Sequence, residues 1–140
     1  MRRSRSILLL LPFLAVLAGC GSQGVQLSES DPNYAGAEIF NARCSGCHTI
    51  SAAGTQGSAS NIRHREYKDG PNFNQRAEQY DQILYALRNG GFSSGPMPQN
   101  IVTGREAEQV AKFVEKYSGR DSGSEKQSPN PGNAVPAGAE

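Results

Sequence analysis

Apolar residues recur at spacings of three and four in three segments of this 140-residue chain, which is the pattern of amphipathic helices. The first segment, residues 34–43, places Ile39 and Phe40 on one side. The second segment, residues 75–89, stops at the glycine pair that follows Asn89. Its apolar face consists of Tyr80, Ile83, Leu84 and Leu87. The spacing therefore predicts a helix over each segment.

The third helical segment, residues 103–117, begins with a capping signal. Thr103 followed by Glu106 forms the pattern of a capping box, and a glycine lies beyond the predicted end. Its expected buried face consists of Val110, Phe113, Val114 and Tyr117. Residues 49–74 are rich in Gly, Ser, Ala and Asn, show no convincing strand alternation and are predicted to be loop. A loop of that length argues against a simple packed domain unless something else fills the space.

The N-terminal residues have the pattern of an export signal. Three arginines precede an apolar run from Ile7 to Ala18 that is too short for a transmembrane helix and is interrupted by Pro12. The run ends in Leu17-Ala18-Gly19-Cys20, which resembles the bacterial lipobox, in which Cys20 is lipidated and becomes the mature N-terminus. A simple secretory signal is the alternative. We expect an extracytoplasmic protein that is anchored by lipid to the bacterial membrane, or secreted or periplasmic if the lipobox is not used.

The composition divides the chain into four regions. Residues 1–19 are the lipoprotein-type signal peptide, and residues 20–32 are polar and Gly/Ser-rich, which predicts a flexible tether. Residues 33–118 form the one foldable domain, and residues 119–140 almost lack large apolar side chains, which predicts a disordered tail. A domain of this size has a marginal core unless a staple or a cofactor stabilises it.

The charge balance does not suggest a nucleic-acid partner. The full chain has 14 basic and 13 acidic residues, and removal of the signal peptide takes away three arginines. A nucleic-acid-binding protein needs a concentrated basic face. The mildly basic cluster of Arg63, His64, Arg65 and Lys68 is diluted by neighbouring acidic residues.

The stretch Cys44-Ser-Gly-Cys-His48 allows three chemistries: zinc binding, disulfide exchange and haem attachment. A structural zinc site needs four ligands, usually in two clusters, and the chain has no second cysteine pair. Disulfide exchange uses a Cys-x-x-Cys pair at the start of a helix near a βαβ pattern, whereas this pair follows a predicted helix. Haem attachment uses every residue of the motif: Cys44 and Cys47 form thioethers to two vinyl groups, and His48 is the proximal iron ligand.

A second axial ligand is expected from Met97. It lies between two prolines in a glycine-rich loop, which is a poor position for a core residue and a stiff support for a thioether. His64 is the rival ligand, although its charged loop favours a solvated or propionate-facing role. An open or water-bound iron is the remaining alternative.

Taken together, these motifs resemble a small single-haem cytochrome c of the His/Met type. The resemblance rests on Gly36-Ala-Glu-Ile-Phe40 before the CSGCH motif, Gly70-Pro-Asn-Phe73, and the approach from Leu87 to Met97-Pro98. It implies an all-α fold of three main helices and long loops around one covalently attached haem c.

The resemblance also implies roles for single residues. Gly36 of the first helix would meet Phe113 of the last, with Phe40 packed nearby. The carbonyl of Pro71 would accept a hydrogen bond from His48 and so orient the imidazole. Arg76 is a candidate contact for a haem propionate, with a surface role as the alternative.

Such a site implies an electron carrier rather than an enzyme. It would exchange single electrons with redox protein partners, such as respiratory complexes or an oxidase or reductase, while a lipid on Cys20 ties it to the membrane. Two alternatives remain at this point. The protein could be the dedicated electron-entry subunit of one larger complex, or a haem-based sensor or peroxidase-like protein if Met97 is displaceable.

Overall fold

The computed structural model describes residues 24–120, which form three α-helices and a short hairpin. In chain order the elements are α1 (Tyr34–Cys44), β1 (Thr49–Ile50), a 3-10 turn (Ser51–Ala53), β2 (Thr55–Gln56), a second 3-10 turn (Ile62–His64), α2 (Tyr80–Asn89) and α3 (Gly104–Tyr117). The predicted fold class, a small helical domain with three main helices, is confirmed. The predicted signal peptide, Cys20 and most of the predicted tail lie outside the described residues. No helix within residues 24–120 is long and apolar enough to cross a bilayer.

Helix α3 packs against both other helices, and its contact with α1 depends on a glycine. A Cβ atom on Gly36 would collide with the carbonyl oxygen of Gln109 and lie 2.8 Å from the Cβ atom of Phe113. The ring of Phe40 lies beside that of Phe113, with centroids 5.7 Å apart. The expected contact between Gly36 and Phe113 is therefore present, and it brings the two helix backbones close together.

The hydrophobic core lies where the three helices meet the hairpin. Its largest fully buried side chains are Phe40, Ile50, Val110, Phe113 and Val114. The predicted apolar face of α3 is buried throughout, and Ala107 and Ala111 extend it. In α2, Ile83 and Leu87 are buried, while Tyr80 and Leu84 pack at the edge of the core.

Helix α2 begins five residues later than predicted, at Tyr80 instead of residue 75. Glu78, just before the helix, and Tyr80, its first residue, bind the end of α3. The backbone N–H of Glu78 donates to Ser118 Oγ at 3.0 Å, and that of Tyr80 donates to a carboxylate oxygen of Glu115 at 3.2 Å. Tertiary hydrogen bonds thus satisfy donors that a first helical turn would otherwise leave unpaired.

The start of α3 agrees with the prediction in position but not in detail. Thr103 is the N-cap residue, yet its side chain makes no capping hydrogen bond, so the predicted capping box does not form. The backbone carbonyl of Thr103 still accepts from the N–H of Ala107 at 3.4 Å.

The predicted loop over residues 49–74 contains a small antiparallel hairpin. Thr49 pairs with Gln56, and Ile50 pairs with Thr55. The turn between the strands places Gly54 at φ 66°, a conformation that favours glycine. Strands of two residues are too short for an alternating pattern to appear in the sequence, which is why the loop prediction missed them.

Part of the predicted flexible tether is packed against the domain. We call residues 24–33 the strap. Val25 and Leu27 lie against the core, and the N–H of Gln26 donates to the carbonyl of Ala52 at 2.9 Å. Residues 24–32 of the predicted tether therefore contact the domain, because two apolar side chains in an otherwise polar stretch pack against its core.

Candidate functional site

The helices and loops surround a cavity of about 480 Å³. All the site residues that the sequence predicts within the described part of the chain line it. They are Cys44, Cys47, His48, Pro71, Arg76 and Met97. The rival ligand His64 is exposed at the end of the second 3-10 turn and does not line this cavity. Only the tertiary structure brings these six residues together, because up to 53 positions separate them in the chain.

The cysteine motif forms a tight turn at the end of α1. The carbonyl of Cys44 accepts hydrogen bonds from the N–H groups of Cys47 at 3.2 Å and His48 at 3.0 Å. Gly57 lies directly against this turn, since a Cβ atom there would collide with the carbonyl of Ser45 and lie 2.7 Å from the nitrogen of Cys47. The turn places both thiols and the imidazole along the same cavity.

The two cysteines of the motif are free thiols. Cys44 is buried and Cys47 is half-buried, and burial raises the pKa of the Cys44 thiol to about 12. Reactive dithiols have a lowered pKa, so disulfide exchange loses support. Among residues 24–120, no three His, Cys, Asp or Glu side chains are grouped to hold a metal ion, which also removes support for a zinc site.

The backbone of Gly70 and Pro71 holds the imidazole of His48 in place. Its Nδ1 atom lies 3.2 Å from the carbonyl oxygen of Pro71. Because a carbonyl can only accept, Nδ1 carries the proton, and the lone pair of Nε2 stays available. A Cβ atom on Gly70 would lie 2.5 Å from Nδ1, so the glycine permits this close approach. Burial lowers the pKa of His48 and keeps it in the neutral form that binds metals, although the bond to Pro71 acts in the opposite direction.

Phe73 contributes a contact to which the sequence assigned no role. Its ring stacks on the imidazole of His48, with centroids 4.9 Å apart and planes 10° apart. The N–H of Phe73 donates to the carbonyl of Thr49 at 2.8 Å, which fixes this segment beside the motif. Its position two residues after Pro71 was the only available signal, and it did not specify stacking.

The loop that carries Met97 folds back on the end of α2. Gly90 ends the helix at φ 74°, and a Cβ atom there would lie 2.7 Å from the carbonyl oxygen of Met97. The N–H of Asn100 donates to the carbonyl of Leu87 at 2.8 Å and closes the loop. Met97 is half-buried against the core, and a Cβ atom on Gly91 would lie 3.8 Å from its sulfur.

One wall of the cavity carries the predicted Arg76 together with two polar residues, Glu78 and Gln82, to which the sequence assigned no role. Arg76 forms an ion pair with Glu78, whose side chain is only 7% exposed. Burial raises the pKa of Glu78, although Arg76 opposes that effect. Gln82 also lines the cavity and is buried. The sequence predicted a helix over residues 75–89, so it did not predict this ion pair. The pair lies in the segment that precedes α2.

Comparison with known proteins matches residues 34–118 to the family described as Cytochrome c. The chain belongs to the cytochrome c family. No significant match was found among curated proteins or among solved structures. A cytochrome c domain implies haem-based electron transfer and a covalently bound haem c, and the family typically consists of electron carriers.

The residues of this cytochrome c domain fit a haem c. The cavity volume falls within the usual range for small-molecule sites. Two thiols at the Cys-x-x-Cys spacing, a neutral imidazole with a free Nε2 atom and a thioether all lie along its walls. The close approach of Gly70 to His48 leaves no space for a side chain behind the imidazole. This donor set is the one that a covalently attached, axially ligated haem requires.

Proposed function

We propose that this protein is a membrane-tethered cytochrome c that carries single electrons between extracytoplasmic redox proteins. The observation that carries the proposal is that Cys44, Cys47, His48 and Met97 all line the same cavity. In this proposal the thiols of Cys44 and Cys47 hold the haem as thioethers, and His48 and Met97 are its axial ligands. A haem with two protein ligands exchanges one electron without needing a vacant position for substrate.

His48 is held as an electron-rich ligand. The hydrogen bond from its Nδ1–H to Pro71 fixes the ring orientation and increases the basicity of Nε2. Stacking by Phe73 and the adjacent Gly70 backbone oppose rotation of the imidazole. These contacts favour a geometry that stays unchanged when an electron is gained or lost.

Met97 is the proposed second axial ligand. Pro96 and Pro98 restrict the backbone on either side, and the close approach of its carbonyl to Gly90 ties the loop to α2. A thioether ligand raises the reduction potential, which suits an electron acceptor in a respiratory chain. A restrained loop argues against the easy displacement that a sensor or peroxidase-like protein would need.

Arg76 is the proposed contact for a haem propionate. It lies in the cavity wall, where its pairing with Glu78 orients the guanidinium group. A guanidinium group can bind two carboxylates at once through its five donors. Lipidation of Cys20 in the proposed lipobox would keep the protein at the outer face of the cell membrane.

The test uses absorption spectra of the exported, full-length protein in its oxidised and reduced forms. We expect a covalent haem c, a high reduction potential and no carbon monoxide binding by the reduced form. Met97→Ala should lower the potential and open the iron to carbon monoxide, whereas Gln99→Ala, two residues away, should do neither. Absence of covalent haem would refute the proposal.

Two further results would favour one of the alternative functions instead. Carbon monoxide binding by the unaltered protein would favour the sensor or peroxidase-like alternative. Stable co-purification with one oxidase or reductase would favour a dedicated electron-entry subunit. Mass spectrometry of the mature N-terminus tests the lipid on Cys20.

A further inference from the structure

The loop over residues 61–69, here called the basic loop, carries an unusual set of exposed side chains. It contains three basic residues, and neither Arg63 nor Arg65 forms an ion pair with any carboxylate in the described part of the chain. Lys68 contacts Glu66 at 3.4 Å. Outside the loop, residues 24–120 hold seven basic and eight acidic side chains. Lys68 also contacts Asp69 at 3.7 Å, and the loop has a net charge of +1. Arg63 and Arg65 are therefore exposed cationic groups without an ion pair, on a domain that is otherwise slightly acidic.

The second acidic residue of the loop, Asp69, points inward and stabilises it. Its side chain is 5% exposed, and its carboxylate accepts hydrogen bonds from the N–H groups of Ala59 at 3.2 Å and Glu66 at 3.1 Å. The guanidinium group of Arg65 donates to the carbonyl of Asp69 at 2.9 Å. The loop thus has a defined shape that polar contacts maintain.

Two large apolar or aromatic side chains project from this loop without any role in the core. Ile62 is 78% exposed and Tyr67 is 81% exposed, and neither packs against the core cluster. The only other large hydrophobic side chain exposed in the described residues is Phe92, at 39%. Since internal hydrogen bonds maintain the loop, its stability does not explain the exposure of Ile62 and Tyr67.

A series of hydrogen bonds links the segment just before the basic loop to the strap. The carbonyl of Ser60 accepts from the side chain of Gln75 at 3.3 Å, and the neighbouring Asn74 bonds to Ser51 at 2.8 Å. Next to Ser51, the carbonyl of Ala52 accepts from Gln26 of the strap at 2.9 Å. A continuous hydrogen-bonded region therefore connects the loop with the strap.

The proposed lipid anchor is within short reach of this region. Gly24 lies four positions after Cys20, and a chain of that length spans at most about 14 Å. Because residues 24–33 are packed on the domain instead of forming a tether, a lipid on Cys20 would hold the strap side of the domain at the membrane surface.

We propose that the basic loop docks on an anionic phospholipid surface, with Ile62 and Tyr67 entering the headgroup region and Arg63 and Arg65 binding lipid phosphates. The inference rests on the proposed function for its membrane anchor. Cationic residues near an anionic leaflet and an aromatic side chain at the interface are the features that membranes recognise. Arg65 and Lys68 also line the cavity, so docking would bring the cofactor site close to the membrane.

The loop suits a membrane better than an acidic protein surface. A specific protein interface usually buries 20 to 30 residues on each side, whereas the exposed apolar and cationic groups here come from one short loop. Insertion of two side chains between headgroups needs no matching pocket on a partner. A second attachment besides the lipid would also restrain the orientation of the domain.

The test measures vesicle binding by the haem-loaded mature chain with Cys20→Ser, which removes the anchor but leaves the rest intact. Sedimentation compares vesicles of equal parts phosphatidylcholine and phosphatidylglycerol with vesicles of phosphatidylcholine alone, at low ionic strength. We expect binding to the anionic vesicles only. Arg63→Gln with Arg65→Gln should weaken it by about fivefold per charge removed, and Ile62→Ser with Tyr67→Ser by about tenfold.

The matched control is Arg105→Gln with Lys112→Gln, which removes the same charge from exposed positions on α3. A change of less than about twofold in this control supports a site on the loop, because screening limits long-range effects. Equal binding to both kinds of vesicle, or equal losses in the loop and control variants, would overturn the inference.

A protein partner would give a different result. The Ile62→Ser with Tyr67→Ser variant, whose residues do not line the cavity, would then bind vesicles normally but accept electrons more slowly from detergent-solubilised host membranes, and this result would also overturn the inference. Haem attachment is measured by absorption in the same samples. A haem-loaded chain that does not bind anionic vesicles refutes this inference alone, whereas a chain without covalent haem refutes the proposed function.

Discussion

The Nδ1 atom of His48 lies 3.2 Å from the carbonyl oxygen of Pro71, and this contact determines which imidazole nitrogen faces the cavity as an acceptor. A backbone carbonyl cannot change its protonation state, so it selects one tautomer at every pH at which the ring is neutral. The residue before the proline is a glycine whose Cα lies against the same ring. The proximal side of the site therefore depends on the backbone of residues 70–71 as much as on the histidine.

Gly70→Ala should disturb this arrangement, because the added Cβ atom would lie within 2.5 Å of Nδ1. We expect a loss of about 2 kcal/mol in the free energy of unfolding, as is typical of overpacking. The reduction potential should rise, because a displaced imidazole loses its bond to Pro71 and becomes a weaker donor. Urea unfolding and redox titration test both effects. Gly46→Ala is the control, since a Cβ atom there meets nothing within 4 Å, and equal effects would contradict the prediction.

Gly36→Ala separates two opposing effects on helix α1. The change should favour the helix by about 1 kcal/mol through its intrinsic propensity. The added Cβ atom, however, collides with the backbone of Gln109 and lies 2.8 Å from the Cβ atom of Phe113. We expect a net loss of about 2 kcal/mol in urea unfolding, because neither helix backbone can yield easily. Glu38→Ala on the exposed face should change stability by less than about 0.5 kcal/mol. A stabilised Gly36→Ala protein would disprove the close crossing.

The strap is joined to α3 by a hydrogen bond from the Tyr117 hydroxyl to the Asp31 carboxylate. That bond, together with one from the N–H of Asn33, lowers the pKa of Asp31 below its ordinary value of 3.8. A lowered pKa contributes stability that is present above the unfolded value and lost as the pH falls through the folded value. Asp31→Asn should therefore lower the melting temperature at pH 7, with a difference that shrinks below about pH 4. Glu29→Gln is the control, and a difference that persists in acid would contradict the role of the charge.

Arg76 and Glu78 form the ion pair in the cavity wall. Burial raises the pKa of Glu78, so its ionised form disfavours the folded state once the pH rises through that pKa, and Arg76 offsets the effect. Arg76→Gln should lower the free energy of unfolding by about 2 kcal/mol at pH 7. This loss is smaller than for a fully buried pair because Arg76 is 44% exposed. The loss should diminish at pH 4, where Glu78 is protonated. Urea unfolding at both pH values tests this, and Arg76→Gln with Glu78→Gln should recover most of the stability at pH 7. A loss that does not depend on pH would exclude the charge mechanism.

Much of this cytochrome c domain could be predicted from local sequence patterns. The spacing of apolar residues located α1 and α3 to within one residue at each end, because both helices bury side chains that recur at spacings of three and four. The CSGCH motif and the proline-flanked Met97 identified the candidate ligands, since their side-chain chemistry is rare and specific. The resemblance to the family then supplied the pairing of Gly36 with Phe113 and of His48 with Pro71.

The tertiary structure alone decided the features that depend on partners distant in the chain. Helix α2 begins late because Glu115 and Ser118 bind the backbone of the preceding segment, and no local pattern encodes those partners. The strap packs on the domain because Ala52 offers a carbonyl to Gln26, although its own composition resembles a flexible tether. Periodicity and motifs report on neighbours within a few positions, whereas these contacts join residues from 26 to 40 positions apart. The sequence by itself thus determined the helices and the ligand chemistry, and the packing of separate segments decided how the imidazole is held, which charges are buried and which loop is left exposed.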